Sequence, residues 1–153
     1  MSSSKLWIYQ ADRLLSPAEE QEIQKEVQQF VDQWKAHGAA LQAQCRIEKS
    51  LFLIIEVDES FQEATGCSID ASVHFIKKIG ADHSVDFFNR QNIAYLKEDK
   101  LLLASMLDFA KMAKDGDISP STWVYDTSLS SGSQMAEKWP VQIQNSWHKR
   151  YFA

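Results

Sequence analysis

The sequence predicts an α+β fold, specifically a ferredoxin-like antiparallel sheet with helices on one face, followed by a C-terminal α/β extension. Short apolar runs of strand length are separated by longer stretches with helical periodicity. Their order is strand, helix, strand, strand, helix, and a later hairpin supplies the strand that completes a split β-α-β-β-α-β sheet. A chain of 153 residues with 44% hydrophobic residues is of single-domain size. We therefore expect one domain, with a core over residues 5–104 and an extension over residues 105–153.

The first strand and the first helix have the clearest local signals. Residues 5–10 carry apolar side chains on both faces, which is typical of a buried strand. Ser16 fits the N-cap of a helix, Pro17 its first position and Glu19 the third position of a capping box. The apolar stripe of this helix comprises Ile23, Val27, Phe30, Val31 and Trp34. Gly38 is predicted to end the helix as a left-handed C-cap.

A second pair of strands and a second helix follow. Residues 39–48 alternate apolar and polar side chains, which predicts a half-buried strand, and residues 51–57 predict a fully buried one. Residues 49–50 are predicted to form the turn between them. Ser68 is predicted to cap a helix that runs to about Gly80. The core face of that helix is predicted to comprise Ile69, Val73 and Ile76.

The last third of the chain contains several short predicted elements. These are a hairpin of strands 93–96 and 101–103, a helix over residues 104–114, a strand over residues 123–125 and a helix over residues 133–138. Gly116 is predicted to end the longer of the two helices. The closing residues mix aromatic and basic side chains, and we expect Trp147 and Phe152 to dock onto the core.

Composition and charge exclude several classes of protein. A formal net charge of −5 opposes binding to a phosphate backbone, so we expect no nucleic-acid partner. No apolar run has the length of a signal-peptide core or a membrane span, which favours a cytoplasmic protein. Cys45 and Cys67 are expected to be reduced thiols, because a chain with this much apolar material needs no disulfide.

The glycines test for two phosphate-binding motifs. Both the P-loop and the dinucleotide fingerprint need glycines within a few residues of each other. The glycines of this chain are too widely spaced for either motif; they are Gly38, Gly66, Gly80, Gly116 and Gly132. The sequence therefore does not support ATPase activity, and we expect no cofactor and no bound metal.

The stretch 66–75 is the densest in residues that carry chemistry. Cys67, Asp70 and His74 are spaced to form one line along a helix. Cys67 and His74 are, however, roughly 10 Å apart along the axis, whereas a nucleophile and its base must come within roughly 3 Å. Direct pairing, or one metal ion held by both, is therefore disfavoured. Three interpretations stay open: a binding site at the helix entrance, a reactive Cys67 thiol, or a capped helix with an exposed Asp70–His74 pair.

The expected function is the binding of an unknown protein or small-molecule ligand, and the alternative is a small enzyme of unknown class. The candidate ligand-binding residues are Gly66, Cys67, Ser68, Asp70, His74, Arg90 and His148. The weak catalytic candidates are Cys67, His74 and Asp58. Asp58 and Glu59 follow a buried strand, where acids serve either as turn caps or in catalysis. A homodimer through an exposed sheet face is a third hypothesis.

Six short segments also stand out as a set. They are LWIYQ (6–10), WKAHG (34–38), VDES (57–60), GCSIDASVHF (66–75), DFFNR (86–90) and SWH (146–148). Together they resemble a family of bacterial proteins of about this length that are commonly labelled "ABC transporter ATPase", and the resemblance runs nearly end to end. That family has no established activity, so the resemblance implies no catalytic residue for this chain.

Overall fold

The described residues form a mixed α+β structure of two compact units. The computed structural model describes residues 4–153. The first unit holds residues 4–89 together with Ser128–Ser133, and the second holds Arg90–Thr127 and Gln134–Ala153. Helices and antiparallel strands both occur, so the predicted α+β class is confirmed. None of the helices in residues 4–153 has the length and hydropathy to cross a membrane.

The first unit contains two helices and two small sheets. Its elements in chain order are β1 (Ser4–Gln10), α1 (Pro17–Asp32), β2 (Lys35–Ala36), β3 (Ala39–Ala40), β4 (Ala43–Glu48), β5 (Phe52–Asp58) and α2 (Gly66–His83). Strand β5 lies between β1 and β4, antiparallel to both, and is buried along most of its length. Cys45 and Tyr9 share one face of this sheet in that register. Both helices contact this face, because Gln24 of α1 donates to Cys45 Sγ at 3.3 Å and Ser72 of α2 is hydrogen-bonded to Tyr9.

The ferredoxin-like detail of the prediction is not confirmed. That topology places a fourth strand beside the first, and the later hairpin is its predicted source. In the structure the outer edge of β1 meets the segment Ser128–Ser133 instead. The amide of Leu6 donates to the carbonyl of Ser130 at 3.0 Å, and Lys5 forms a bridge with Ser131. The hairpin belongs to a separate sheet, since periodicity identifies strands but not their partners.

Helix α1 begins where the sequence predicts and ends earlier. The hydroxyl of Ser16 accepts the amide of Glu19 at 3.2 Å, and the Glu19 carboxylate accepts the amide of Ser16 at 2.9 Å, which completes the capping box. The helix ends at Asp32, so the prediction that Gly38 is its C-cap is wrong. Gly38 does have a positive φ of 79°. It lies with His37 in the turn between β2 and β3, where two residues with positive φ match the twist of the strands.

Helix α2 also differs from its predicted bounds. Its N-cap is Thr65, whose hydroxyl accepts the amide of Ser68 at 3.3 Å. The prediction that Ser68 is the cap is therefore wrong, and the Ser68 hydroxyl instead completes a capping box by accepting the amide of Thr65 at 2.7 Å. The helix continues past Gly80 to His83. Glycine is required at position 80 because the chain folds back against it, and a Cβ there would collide with the carbonyl oxygen of Val85.

The second unit contains a four-stranded sheet with a hydrophobic core of its own. The elements after residue 90 are β6 (Asn92–Lys97), β7 (Lys100–Ser105), α3 (Met106–Asp115), β8 (Trp123–Val124), α4 (Gly132–Lys138) and β9 (Val141–Gln142). The strand order of the sheet is β7-β6-β8-β9. Gly116 ends α3 with a φ of 82°, as predicted. Short 3₁₀ helices at Ile143–Asn145 and Trp147–Phe152 close the chain.

The core of the second unit centres on Phe109 of α3. Tyr95 and Tyr151 contact its ring edge to face, with centroid distances of 5.8 and 5.2 Å. The other buried members of the cluster are Ile93, Ala104, Ile118, Val124, Val141 and Ile143. Phe152 packs against this core as predicted, whereas Trp147 remains 37% exposed. The last 3₁₀ helix is thus anchored by some of its aromatic residues and presents another at the surface.

Candidate functional site

The stretch that the sequence singles out forms an open helix surface. Cys67, Asp70 and His74 are all exposed on the first turns of α2. Within residues 4–153, no hydrogen bond or ion pair joins Asp70 to His74. Gly66 is exposed as well, with no other side chain close enough to require a glycine. Ser68 is buried, and its carbonyl accepts the indole N–H of Trp34 at 2.8 Å, so this residue serves packing.

The two cysteines are free and differ in environment. Cys67 is exposed and Cys45 is buried. Burial, and to a smaller extent the negative charge of Asp32, raise the pKa of the Cys45 thiol to about 11. A thiol with so high a pKa carries almost no thiolate at neutral pH, so Cys45 is chemically inert in the fold.

The acids that follow β5 cap the loop before α2. Asp58 Oδ1 accepts the hydroxyl of Ser60 at 2.6 Å and its amide at 3.0 Å, and these hydrogen bonds lower the pKa of Asp58. Glu59 accepts the amide of Ala64 at 3.0 Å. These contacts match the turn-cap interpretation of the two acids and do not orient Asp58 toward any other catalytic candidate.

The other two predicted ligand-binding residues belong to the second unit. Arg90 is exposed at the start of that unit. His148 is 2% exposed in the last 3₁₀ helix. The predicted set is therefore divided, with Gly66, Cys67, Ser68, Asp70 and His74 in the first unit.

A pocket of about 580 Å³ lies in the second unit, and its lining includes the two residues that flank His148 in the sequence. The side chains that line it are Asp126, Lys138, Gln144, Asn145, Ser146, Trp147 and Lys149. Sequence reasoning missed all of these as site residues, although it marked the basic and aromatic character of the closing segment. The basic and aromatic side chains of the closing segment were the one sequence feature that could have indicated this pocket, because its lining residues are spread over more than twenty positions.

Ser146 lines the pocket and contacts the buried His148, which does not line it. Ser146 caps the last 3₁₀ helix, because its hydroxyl accepts the amide of His148 at 3.1 Å. The same hydroxyl lies 2.8 Å from His148 Nδ1 and 3.2 Å from the carbonyl oxygen of Ile143. The imidazole stacks on the indole of Trp147 with a centroid distance of 3.9 Å. Ser146 thus orients His148, and the stacked imidazole of His148 holds the indole of Trp147, which lines the pocket.

The Ser146–His148 contact has the geometry of a nucleophile and a base, but the imidazole has the wrong basicity. Burial lowers the pKa of His148 to about 4; the carboxylate of Asp126 raises it and the guanidinium of Arg150 lowers it by smaller amounts. General bases work best when their pKa lies near the working pH. At neutral pH this imidazole is neutral and a poor proton acceptor, so the contact holds structure and does not activate the hydroxyl.

The charges on the pocket wall favour anions. Lys138 and Lys149 line the pocket, and neither ammonium group forms an ion pair with any residue in the described part of the chain. Asp126 is 7% exposed and interacts electrostatically with His148. Asn145 contributes an amide to the same wall. Positive charge and hydrogen-bond donors are therefore in excess, which suits a carboxylate or a phosphate.

Comparison of the chain with models of known protein families, with curated proteins and with solved structures gave no significant match. The resemblance to the bacterial family therefore stays a prediction, and function must be argued from the geometry alone.

Proposed function

We propose that this protein is a binding domain whose pocket in the second unit takes a small organic anion carrying a carboxylate or phosphate group. The observation that carries the proposal is the pair of lysines on the pocket wall, Lys138 and Lys149, whose ammonium groups have no acidic partner among the described residues. Surface lysines in general are solvated singly, whereas these two line one concave site together with amide and aromatic side chains.

Separate elements supply the two positive charges. Lys138 is the last residue of α4, and Lys149 lies in the 3₁₀ helix that ends the chain. A hydrogen bond from an ammonium group to a charged oxygen contributes about 1.5–3 kcal/mol. Trp147 supplies an apolar wall for the carbon skeleton of the ligand, which is the usual complement to a few polar contacts in a small-molecule site.

We also propose that this domain works in the cytoplasm. Its support is Cys67, a free thiol exposed at the surface, because exposed thiols persist in reducing compartments.

Binding of glucose 6-phosphate and of citrate tests the proposal, with glucose as the neutral control. Titrations are followed by tryptophan fluorescence and by amide chemical shifts of the second unit. We expect saturable binding of the two anions, and we expect Lys138→Ala and Lys149→Ala each to weaken it about tenfold or more. The matched control is Lys111→Ala, which removes an exposed lysine of α3 that does not line the pocket.

Two outcomes would overturn the proposal. One is equal binding of glucose and glucose 6-phosphate, which would show that charge does not contribute. The other is a loss of affinity in Lys111→Ala as large as that in Lys138→Ala, which would show that the anions bind to the general surface charge and not to the pocket.

A further inference from the structure

Three side chains that can coordinate a metal converge between the two helices of the first unit. Glu22 and Glu26 lie one turn apart on α1, and His83 is the last residue of α2. One carboxylate oxygen from each glutamate and one ring nitrogen of His83 all lie within 4.8 Å of one another. His83 Nε2 and Glu26 Oε2 are in direct contact at 2.7 Å. Two helices therefore bring three donor atoms to one point.

We propose that Glu22, Glu26 and His83 bind a divalent transition-metal ion, with Zn²⁺ as the best-matched ion. The donor set is two carboxylate oxygens and one imidazole nitrogen, and such mixed sets suit Zn²⁺ better than Mg²⁺ or Ca²⁺, which prefer oxygen alone. Three protein ligands leave a fourth position of a tetrahedral ion for water.

The electrostatics around the cluster favour a cation. Glu19, one turn before Glu22, is neutralised by Arg13, whose guanidinium donates to both of its carboxylate oxygens at 2.9 and 2.7 Å. The Glu22 carboxylate has no hydrogen bond or ion pair to any residue in 4–153, although it lies within 4.8 Å of the Glu26 carboxylate. Two carboxylates this close repel each other, and a divalent ion between them would relieve that repulsion.

The position of His83 is fixed before any ion binds. Its carbonyl accepts a hydrogen bond from Arg13 Nη2 at 3.1 Å, which ties the end of α2 to the loop that precedes α1. The His83 side chain is 15% exposed and that of Glu26 36% exposed, so the donor atoms are held in place yet can be reached from solvent. An ion would therefore enter without unfolding either helix.

The ion would take the place of a hydrogen bond. Ligand atoms around a tetrahedral Zn²⁺ lie roughly 3.3 Å apart, given bonds of about 2.0–2.1 Å. The His83–Glu26 contact of 2.7 Å is shorter than this because a hydrogen bond joins the two atoms. Binding therefore breaks that hydrogen bond and moves the two atoms slightly apart.

Isothermal titration of the full chain with ZnCl₂ tests the proposal, supported by the visible absorption of the Co²⁺ form. We expect one ion per chain and a loss of affinity of about tenfold or more in His83→Ala and in Glu22→Gln. Glu22→Gln keeps the shape of an exposed side chain, so its effect does not depend on the packing of His83. The matched controls are His74→Ala on the same helix and Cys67→Ser, the exposed thiol, and both should bind Zn²⁺ as the native chain does.

The proposal is wrong if Zn²⁺ binds His83→Ala and Glu22→Gln as tightly as the native chain. It is equally wrong if Cys67→Ser or His74→Ala abolishes binding, because the ion would then occupy the exposed face of α2. Absence of binding at millimolar Zn²⁺ would also overturn it.

Discussion

Acid should destabilise the second unit through one buried imidazole. His148 has a pKa of about 4 in the folded protein, against the ordinary value of 6.5 that it regains on unfolding. The unfolded chain therefore takes up the proton first as the pH falls, and stability decreases between about pH 6.5 and pH 4. By pH 4.5 this costs roughly 2–3 kcal/mol.

Urea unfolding at pH 7 and at pH 4.5 measures this cost. The comparison is between the native chain and His148→Gln, which keeps polar atoms beside Ser146 but does not titrate. The native chain should lose roughly 2–3 kcal/mol more than the variant over this interval. Contributions of other acids, including the Arg13-bound Glu19 with its pKa lowered to about 2, are common to both proteins and cancel. Equal losses in the two proteins would refute the reasoning, as would an imidazole resonance of His148 that titrates near pH 6.5.

Two further predictions use pairs of like residues in different environments. In thermal unfolding, Gly80→Ala should destabilise the first unit by about 1–3 kcal/mol, because the added methyl group collides with the backbone. Gly66→Ala should be nearly neutral or stabilising, because nothing lies within 4 Å of the added methyl group. Ellman's reagent at neutral pH should titrate one thiol per native chain, that of Cys67, and two after denaturation, because Cys45 is buried. Fast reaction of both thiols in the native protein would contradict the burial of Cys45.

Local chemistry made several elements predictable from the sequence. Ser16 and Glu19 satisfy each other's amides within one turn, so the start of α1 depends on no distant residue. Gly116 likewise ends α3 by its own conformational freedom. Gly38 shows the limit of such reasoning: its positive φ was predictable, but a helix cap and a hairpin turn make the same demand on the backbone.

Contacts between distant segments account for what could not be predicted. The pocket joins Asp126, Lys138 and Lys149, each of which looks like an ordinary surface residue in the sequence. His148 was a candidate for its chemistry, yet only the structure shows that burial makes its imidazole a poor base. The Glu22–His83 cluster was missed because its members lie about sixty residues apart and belong to two different helices.

The segment Ser128–Ser133 limits where this protein can be truncated. It covers the outer edge of β1, yet residues of the second unit precede and follow it in the chain. A gene truncated after residue 89 would therefore encode β1 with an uncovered edge, beginning at the amide of Leu6. Bare strand edges recruit strands from other molecules, so we expect the shortened product to aggregate unless the missing six residues are supplied as a peptide or grafted back by a linker.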